Sequence, residues 1–252
     1  MYTLKKSLGQ HFLHDEQMCQ KIVQQLDYPE GLNLLEIGPG AGALSKYLLE
    51  KKNINYLAVE IDNEKVDYLK KTLPEINNKI IHKDFLKSPA PFEGHFTIIG
   101  NFPYNISSQI LFKILDWENQ VQEMVGMFQK EVAQRVASKE GNKTYGILSV
   151  LIQTFFTVEY LFDVHENCFT PPPKVKSGVI RLVNTNNPYQ VQNIKSYFKI
   201  VKAAFSQRRK TLRNALKPLL TTEQLTDEVF NLRAEQLSVK EFVDLFNKYF
   251  NE

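Results

Sequence analysis

Short apolar runs alternate with helical patterns over the first half of the chain, and this alternation restricts the possible folds more than any other feature. Five of the runs have the length of buried strands. They cover residues 33–37, 56–61, 79–82, 96–100 and 123–128. The helical patterns cover residues 43–51, 64–72, 107–115 and 129–138. Because strand–helix alternation is typical of parallel strands joined by crossover helices, we expect an α/β domain with helices on both faces of its sheet.

The next part of the chain completes this sheet. A further helix is expected over residues 145–156. Two strands that lie close together in sequence, at residues 157–164 and 177–183, suit an antiparallel end to the sheet. Together with the five earlier strands, they predict a mostly parallel sheet of seven strands.

A turn-rich segment separates this region from a second one. Residues 184–188 read Asn-Thr-Asn-Asn-Pro, which is typical of a turn or linker. Only helical patterns follow, and the last helix begins with a capping box of Ser238 and Glu241. We therefore expect two domains, a sheet domain over residues 1–186 and a small all-helical domain over residues 187–252.

The composition is that of an ordinary globular protein. Of the 252 residues, 43 % are apolar and 23 % are charged, which excludes a disordered tail protein and a collagen-like repeat. Two cysteines, Cys19 and Cys168, are too few for a disulfide scaffold and fit free thiols in a reducing compartment. The sequence has neither a signal-peptide pattern nor a long uncharged apolar run. These features predict a soluble cytoplasmic protein that does not associate with membranes.

The basic residues are unevenly distributed, although the formal net charge of the chain is only +3. No Asp or Glu occurs between Glu166 and Glu223, and this stretch holds 11 of the 31 basic residues. The other 20 stand against all 28 acidic residues, so the rest of the chain has a net charge of −8. A run of like charge is usually a solvated face, and the alternative is a surface that binds a polyanion.

Three positions at predicted strand ends indicate a cofactor that contains adenosine. Residues 34–44 run from a strand into a glycine-rich turn, in which Gly38 and Gly40 let a ligand approach the backbone closely. Glu60 ends the next strand, where a carboxylate can accept hydrogen bonds from both ribose hydroxyls. Asp84 follows the third strand and could bind the adenine amine, although taken alone such a residue is more often a loop or cap residue. The glycine spacing also satisfies the fingerprint of nicotinamide dinucleotides, and a glycine turn beside a surface glutamate is the alternative without a ligand.

The segment after the fourth strand distinguishes between these cofactors. It reads Asn101-Phe102-Pro103-Tyr104. An adenine amine is a poor nucleophile, and the Asn101 side-chain oxygen with the Phe102 carbonyl could accept its two N–H groups as charge develops on the nitrogen. Tyr104 could stack on the base, and Pro103 keeps the turn rigid. Hydride transfer has no use for this arrangement, so it favours S-adenosylmethionine over a nicotinamide dinucleotide. An ordinary Asn-Pro turn is the alternative.

A proline-rich segment precedes the last predicted strand. Residues 169–178 contain three consecutive prolines, which make a stiff extended chain. Phe169 begins this segment and could close on the second face of a flipped-out base. A buried phenylalanine that anchors the loop explains the residue equally well, and the pattern leaves both interpretations open.

Six motifs in this order resemble the ribosomal RNA adenine dimethylase family, most of all its bacterial small-subunit type. They are Gly9-Gln-His-Phe-Leu-His-Asp15, Glu36-Ile-Gly-Pro-Gly-Ala-Gly42, Val59-Glu-Ile-Asp62, Asn101-Phe-Pro-Tyr104, Phe169-Thr-Pro-Pro-Pro-Lys-Val175 and Ala204-Phe-Ser-Gln-Arg-Arg-Lys210. The similarity covers essentially the full length. It implies a class I (Rossmann-like) methyltransferase fold with a helical C-terminal domain.

The resemblance also implies an activity and its partners. The expected reaction is dimethylation of the N6 amines of two adjacent adenosines in the 3′-terminal hairpin of 16S rRNA, with S-adenosylmethionine consumed as methyl donor and no metal. The expected partner is 16S rRNA within the 30S subunit or its precursor, and the expected oligomeric state is a monomer. The reaction gives the protein a role in small-subunit ribosome biogenesis.

Site residues follow from the same resemblance and from the reasoning above. The expected cofactor-binding residues are His11, Leu13, Gly38, Gly40, Glu60, Asp84 and Asn101. The expected catalytic residues are Asn101, Pro103, Tyr104 and Phe169. Two positions depart from the family pattern, since His11 replaces the commonest Asn and Phe102 replaces the usual Leu. If the backbone carbonyl of residue 102 does the work, the second change is harmless.

The basic stretch is the expected RNA surface, spanning both domains and leading to the active site. Its candidate RNA-binding residues are Lys174, Lys176, Arg208, Arg209, Lys210 and Arg213. Three alternatives stay open from the sequence. They are a large-subunit rRNA methyltransferase of the macrolide-resistance type, a non-catalytic ribosome-assembly or transcription factor, and an NAD-dependent oxidoreductase.

Overall fold

The predicted alternation folds into an α/β structure. A computed structural model describes residues 11–250 of the chain, so Gly9 and Gln10 of the first motif lie outside the described residues. The strands are β1 (Phe12–Leu13), β2 (Leu32–Ile37), β3 (Ile54–Glu60), β4 (Ile80–His82), β5 (Phe96–Asn101), β6 (Val121–Gln129), β7 (Phe156–Val164), β8 (Phe169–Thr170) and β9 (Ser177–Asn184).

The helices begin and end close to the predicted positions. They are α1 (Glu16–Val23), α2 (Ser45–Leu49), α3 (Asn63–Thr72), α4 (Ser107–Asp116), α5 (Lys130–Val136), α6 (Ile147–Phe155), α7 (Ile194–Phe205), α8 (Leu212–Leu216) and α9 (Val239–Tyr249). The ends of the seven predicted strands and of the five predicted helices in the same region differ from the observed ends by no more than two residues.

The large sheet has seven strands in the order β4-β3-β2-β5-β6-β9-β7. β2 pairs in parallel with both β3 and β5, and β5 pairs in parallel with β6. β9 runs antiparallel to β6, which confirms an antiparallel element at this end of a mostly parallel sheet. The chain proceeds outward from β2 to β4 and then returns to place β5 on the other side of β2. Ligands bind in open α/β sheets where the strand order reverses in this way, beyond the carboxyl ends of the strands.

The central strands are buried on both faces. Leu34 and Leu35 in β2, and Ile98 and Ile99 in β5, are all fully buried. Because consecutive side chains of a strand point to opposite faces, both faces of these strands are covered. This rigid centre fixes the strand ends at which the site residues stand.

A second, two-stranded sheet was not expected from the sequence. β1 pairs antiparallel with β8, with Phe12 opposite Thr170 and Leu13 opposite Phe169. Two-residue strands are too short to produce a periodic pattern, so nothing in the sequence predicted this pairing. It joins the segment before α1 to the start of the proline-rich segment.

The chain divides into two compact units. In the described part, one unit holds residues 11–133 and 159–184, and the other holds residues 134–158 and 185–250. In the second unit α6, α7 and α9 pack against one another, and the expected capping box at the start of α9 is present. The domain boundary expected after residue 186 stays a prediction. None of the described helices has the length and hydropathy needed to cross a membrane.

Candidate active site

A cavity of about 290 Å³ opens where the strand order reverses, at the carboxyl ends of β2, β3 and β5. It lies within the unit that holds the large sheet. Nine of the residues expected from the sequence line it, namely His11, Leu13, Gly38, Gly40, Glu60, Asp84, Asn101, Pro103 and Tyr104. The structure therefore brings every expected cofactor-binding residue to one place.

The glycine-rich turn after β2 presents its backbone to this cavity. Gly38 has a φ of 66° and Gly40 a φ of 61°, in the left-handed region where any other residue is strained. The Gly38 N–H donates to the Val59 carbonyl at 2.9 Å, which ties the turn to the end of β3. A Cβ atom built on Gly38 would meet no described atom within 4 Å. That space is open to a ligand, as the sequence pattern predicts.

The Glu60 carboxylate is held in place by three backbone N–H groups. Its Oε2 accepts from Gly40 at 3.2 Å, and its Oε1 accepts from Ile61 at 2.9 Å and from Asp62 at 3.0 Å. The residue is buried, yet it lines the cavity. Since each carboxylate oxygen has more than one acceptor position, the remaining ones can bind a pair of ligand hydroxyls.

Asp84 and Ile61 form another part of the wall. Asp84 caps the turn that follows β4, and its Oδ1 accepts from the Leu86 N–H at 3.0 Å. Its Oδ2 lies 3.5 Å from the exposed Lys87 ammonium. Since a surface ion pair of this kind contributes little to stability, a ligand can replace it at little cost in free energy. Ile61, which sequence reasoning missed, is 52 % exposed and lines the cavity, where it offers an apolar surface to a planar ring. Its only sequence signal is its place directly after Glu60.

The Asn101–Tyr104 segment leaves the end of β5 and turns along the cavity. The Asn101 side-chain N–H lies 3.5 Å from the His11 carbonyl, so this amide directs its N–H to the protein and keeps its oxygen as an acceptor. The Phe102 N–H donates to the Met127 carbonyl at 3.2 Å. The backbone at residue 102 is thereby fixed by β6, while Asn101, Phe102, Pro103 and Tyr104 all line the cavity.

The Phe102 side chain is accommodated by two glycines. It is fully buried, with its ring centroid 4.9 Å from that of Phe128. A Cβ atom on Gly100 would overlap the Phe102 ring and would lie 2.9 Å from the Ile37 carbonyl. A Cβ atom on Gly126 would overlap the same ring and would lie 2.7 Å from the Met124 sulfur. The sequence signal for this arrangement is a glycine inside each of two buried strands.

Tyr104 is held at three points. Its hydroxyl is hydrogen-bonded to the Ser177 hydroxyl, and its backbone carbonyl accepts from the Ser107 hydroxyl at 3.1 Å. Its ring stacks on the His11 ring, with centroids 5.6 Å apart and an interplanar angle of 28°. Burial raises the pKa of the Tyr104 phenol, so the side chain is neutral near pH 7. Sequence reasoning missed Ser177 because the bond joins residues far apart in the chain.

His11 and Phe169 take part in the two-stranded sheet region. The His11 Nδ1 lies 2.8 Å from the Pro171 carbonyl, so this ring is engaged with the proline-rich segment and with Tyr104. Phe169 is 2 % exposed, pairs with Leu13, belongs to the hydrophobic core and is absent from the described residues that line the cavity. The structure thus places Phe169 as a buried anchor, and its stacking on a base stays a prediction.

Glu36 is a buried acid that sequence reasoning did not single out as a site residue. It lies in β2, lines the cavity, and accepts hydrogen bonds from the Tyr56 hydroxyl and from the Ser45 hydroxyl, the latter at 2.7 Å. Burial raises the pKa of the Glu36 carboxyl to about 7. Its signal in the sequence is a single carboxylate within a mostly apolar strand.

The candidate RNA-binding residues are all exposed, but they fall into two groups. Lys174 and Lys176 stand on the segment before β9, in the unit of the large sheet. The other four belong to the second unit. They are Arg208, Arg209, Lys210 and Arg213.

Two of these four candidates have protein partners. The Arg208 guanidinium donates to the carbonyls of Lys143 and Tyr145, the latter at 3.0 Å. Arg213 donates to the Asn231 side chain at 2.7 Å. Arg208 therefore fixes the backbone of a neighbouring loop, which sequence reasoning did not predict.

Among the described residues, no group of three or more His, Cys, Asp or Glu side chains is placed to hold a metal ion.

Comparison with known sequences identifies the family. The sequence model of the family "Ribosomal RNA adenine dimethylase" matches residues 1–251. Ribosomal RNA small subunit methyltransferase A of Cytophaga hutchinsonii is 55 % identical over 250 residues, covering 96 % of each chain. The protein of the same name from Flavobacterium johnsoniae is 51 % identical over 248 residues, covering 97 % of this chain and 95 % of that one.

Comparison with solved structures identifies the fold. A dimethyladenosine transferase from Plasmodium falciparum has a TM-score of 0.81 at 24 % identity, covering 95 % of this chain and 98 % of that chain. The 23S rRNA methyltransferase ErmE has a TM-score of 0.71 at 23 % identity, covering 94 % and 99 % of the two chains. The expected class I methyltransferase architecture is confirmed.

Fold, site and sequence lead to the same assignment. The strand order, the glycine turn and the Asn101–Tyr104 segment converge on one cavity, and the family match spans nearly the whole chain. The protein is a methyltransferase enzyme that belongs to the ribosomal RNA adenine dimethylase family.

Proposed function

We propose that this enzyme uses S-adenosylmethionine to dimethylate the N6 amines of two adjacent adenosines in the 3′-terminal hairpin of 16S rRNA, during biogenesis of the small ribosomal subunit. The observation that carries the proposal is the placement of Asn101 and Tyr104 on the same cavity as Gly38 and Glu60. One cavity then has a wall suited to an adenosine-containing donor and a wall suited to an acceptor adenine.

The residues present fit S-adenosylmethionine. Glu60 supplies carboxylate oxygens for the two ribose hydroxyls, Asp84 supplies an acceptor for the adenine amine, and Ile61 supplies an apolar surface for the ring. The Gly38 backbone leaves room for the methionine part. When bound, this cofactor supplies an electrophilic methyl group on a positively charged sulfur.

The acceptor side of the cavity prepares the adenine amine for its nucleophilic attack on the methyl group. The Asn101 side-chain oxygen and the Phe102 carbonyl would accept its two N–H groups, which favours a tetrahedral nitrogen and stabilises the positive charge that develops on it. The Phe102 N–H is bonded to the Met127 carbonyl of β6, and the Asn101 side-chain N–H lies 3.5 Å from the His11 carbonyl. Such acceptors need no reorganisation at the moment of reaction.

Tyr104 would set the angle of the base. A neutral aromatic ring stacks on a nucleobase without distinguishing its sequence neighbours, and it fixes the plane in which the amine lies. After methyl transfer the amine is positively charged and strongly acidic, so its proton can pass to water. No carboxylate is therefore required as a base, and Asp84 is left to the cofactor.

We also propose that the basic residues before β9 and in the second unit bind the RNA backbone. The main contacts with the RNA backbone are then made by four exposed residues, namely Lys174, Lys176, Arg209 and Lys210. We place the reaction in the cytoplasm, where the 30S subunit or its precursor is available, and we propose that a monomer carries it out.

Purified ribosomal particles provide the test. The enzyme, with methyl-labelled S-adenosylmethionine, should label unmethylated 30S particles, and nuclease digestion should release N6,N6-dimethyladenosine from two adjacent positions of 16S rRNA. Labelling of 50S particles alone would favour a large-subunit enzyme, the alternative suggested by the fold shared with ErmE. Labelling of neither particle would contradict the proposed function.

A further inference from the structure

Among the described residues, the Ser177 hydroxyl is the only hydrogen-bond partner of the Tyr104 hydroxyl. Ser177 is fully buried and begins β9, opposite Gln129 of β6. The chain around it is fixed as well, because the Lys130 N–H donates to the Lys176 carbonyl at 2.9 Å. Ser177 is thus a rigid point at the far end of the Tyr104 ring.

We infer that Ser177 is a positioning residue, whose hydroxyl sets the orientation of the Tyr104 ring on which the target adenine stacks. This inference rests on the proposed function. Without the bond, the half-buried phenol hydroxyl would lose its protein partner and the ring would turn about its side-chain torsions. The base would then meet the methyl group at an altered angle.

The surroundings support a role in orientation rather than in proton transfer. Burial keeps the Tyr104 phenol neutral near pH 7, so it is a poor base. No shift of charge is needed for its bond to Ser177, since both groups are neutral hydroxyls. The His11 ring stacks on one face of Tyr104, and we place the base on the opposite face.

The inference predicts a specific kinetic pattern. Ser177→Ala and Tyr104→Phe each remove one oxygen from the same bond, so each should lower kcat for methylation of 30S particles by roughly ten- to a hundredfold. The KM for S-adenosylmethionine should stay within about twofold, because the proposed donor contacts are made by Glu60, Asp84 and the Gly38 backbone. The double variant should be no slower than the slower single variant.

A matched hydroxyl pair in the second unit serves as control. Thr154 and Tyr197 are fully buried, and their hydroxyl oxygens lie 3.0 Å apart. Tyr197→Phe and Thr154→Val should lower the melting temperature and leave kcat unchanged. A loss of activity in these variants equal to that in Ser177→Ala would show that any buried hydroxyl pair matters, and it would overturn the inference.

Other outcomes separate this inference from the proposed function. Wild-type kcat in Ser177→Ala or in Tyr104→Phe, with an active wild-type enzyme, would overturn the role of Ser177 and leave the proposed function intact. If Ser177→Ala lowers kcat by the same factor in the Tyr104→Phe variant as in the wild-type enzyme, Ser177 does not act through the Tyr104 hydroxyl. That result would also overturn the inference and leave the proposed function intact. If Ser177→Ala fails to fold, Tyr104→Phe still tests the inference, because it removes the other oxygen atom of the same hydrogen bond.

A binding measurement makes the test independent of turnover. A hairpin RNA with 2-aminopurine at the target position changes its fluorescence when the base stacks. Ser177→Ala should reduce that change relative to wild type at saturating enzyme, whether or not methyl transfer occurs. An unaltered fluorescence change would contradict the inference, whereas absence of methyl transfer by the wild-type enzyme would contradict only the proposed function.

Discussion

The carboxylate of Glu60 accepts a hydrogen bond from the backbone N–H of Gly40, so the acid at the end of β3 holds the glycine turn that follows β2. Two further N–H groups bind the same carboxylate. One side chain therefore shapes the turn and presents oxygen atoms to the cavity.

Replacement of Glu60 by Gln should damage both roles. The amide N–H₂ of Gln would face a backbone N–H, so one buried donor would lose its acceptor, at a cost of about 1–3 kcal/mol of unfolding free energy. Calorimetry with S-adenosylhomocysteine should show an affinity lowered at least about tenfold. The exposed Glu75 offers a control, since Glu75→Gln should change neither quantity. Unchanged affinity in Glu60→Gln would contradict the assignment of Glu60 to the cofactor.

Gly100 and Phe102 should be coupled in stability. Gly100→Ala puts a methyl group against the Phe102 ring and the Ile37 carbonyl, which should cost roughly 1–3 kcal/mol of unfolding free energy. Phe102→Leu removes the ring and should recover part of that loss. Urea unfolding of the two single variants and the double variant measures the coupling. Strictly additive effects would mean that the ring does not limit residue 100.

Phe102→Leu alone should leave methylation nearly intact. The backbone carbonyl stays in place because the N–H of residue 102 is held by Met127, while the smaller side chain costs about 1 kcal/mol or more in packing. Asn101→Ala is the contrasting variant and should lower kcat by about a hundredfold or more with intact folding. Near-wild-type activity in Asn101→Ala would contradict the proposed mechanism.

Glu36 makes a contribution to stability that should fall as pH rises. Its folded-state pKa of about 7 lies above the value of 4.5 for a free carboxyl, and burial is the main cause. The contribution is fully present below pH 4.5 and is lost as pH rises through 7, since the unfolded chain then releases a proton that the folded protein retains. The total change is of the order of 3 kcal/mol.

Glu36→Gln tests this dependence directly. The Gln carbonyl can still accept from Tyr56 and Ser45, but the side chain does not titrate. Relative to wild type, the variant should gain stability from pH 5 to pH 8 in denaturant titrations. Parallel stability profiles of the two proteins over this range would contradict the raised pKa.

Tyr145→Phe should be neutral or stabilising by about 1 kcal/mol. The Tyr145 hydroxyl is buried and has no hydrogen-bond partner among the described residues, so removing its oxygen also removes an uncompensated desolvation cost. Tyr197→Phe is the matched opposite case, because the Tyr197 hydroxyl is bonded to Thr154. Thermal unfolding should separate the two variants, and destabilisation of both to the same extent would argue against an unpaired hydroxyl at Tyr145.

Arg208 and Arg209 should differ in their effects on RNA binding. Arg209→Ala removes an exposed charge, so it should weaken RNA binding, lower the salt dependence by about one phosphate contact and leave the melting temperature unchanged. Arg208→Ala should lower the melting temperature as well, because the Lys143 and Tyr145 carbonyls lose their donor. Calorimetric cofactor affinity should stay the same in both. Equal thermal stability of the two variants would contradict a structural role for Arg208.

Local patterns were sufficient to predict the large sheet and most of the cavity. Period and length located β2 to β6, and Gly38, Glu60 and Asn101 follow strand ends that parallel pairing brings to one edge. The hydrogen bond between Tyr104 and Ser177 was not predictable in this way, since it depends on the register in which β9 pairs with β6.

Side-chain orientation was the other limit of prediction. Phe169 fits equally well as a core anchor or as a stacking surface, and only its pairing with Leu13 places it in the core. The carbonyl partners of Arg208 are likewise distant in sequence and leave no pattern in it.

The packing of Phe102 between Gly100 and Gly126 also restricts the order in which these positions can change during evolution. A smaller residue at 102 removes one obstacle to alanine at 100 or 126, although the Ile37 carbonyl and the Met124 sulfur still lie close to those two positions. With phenylalanine at 102, the ring occupies the space that either methyl group would need. Loss of the phenylalanine should therefore make alanine at either glycine position easier to accept.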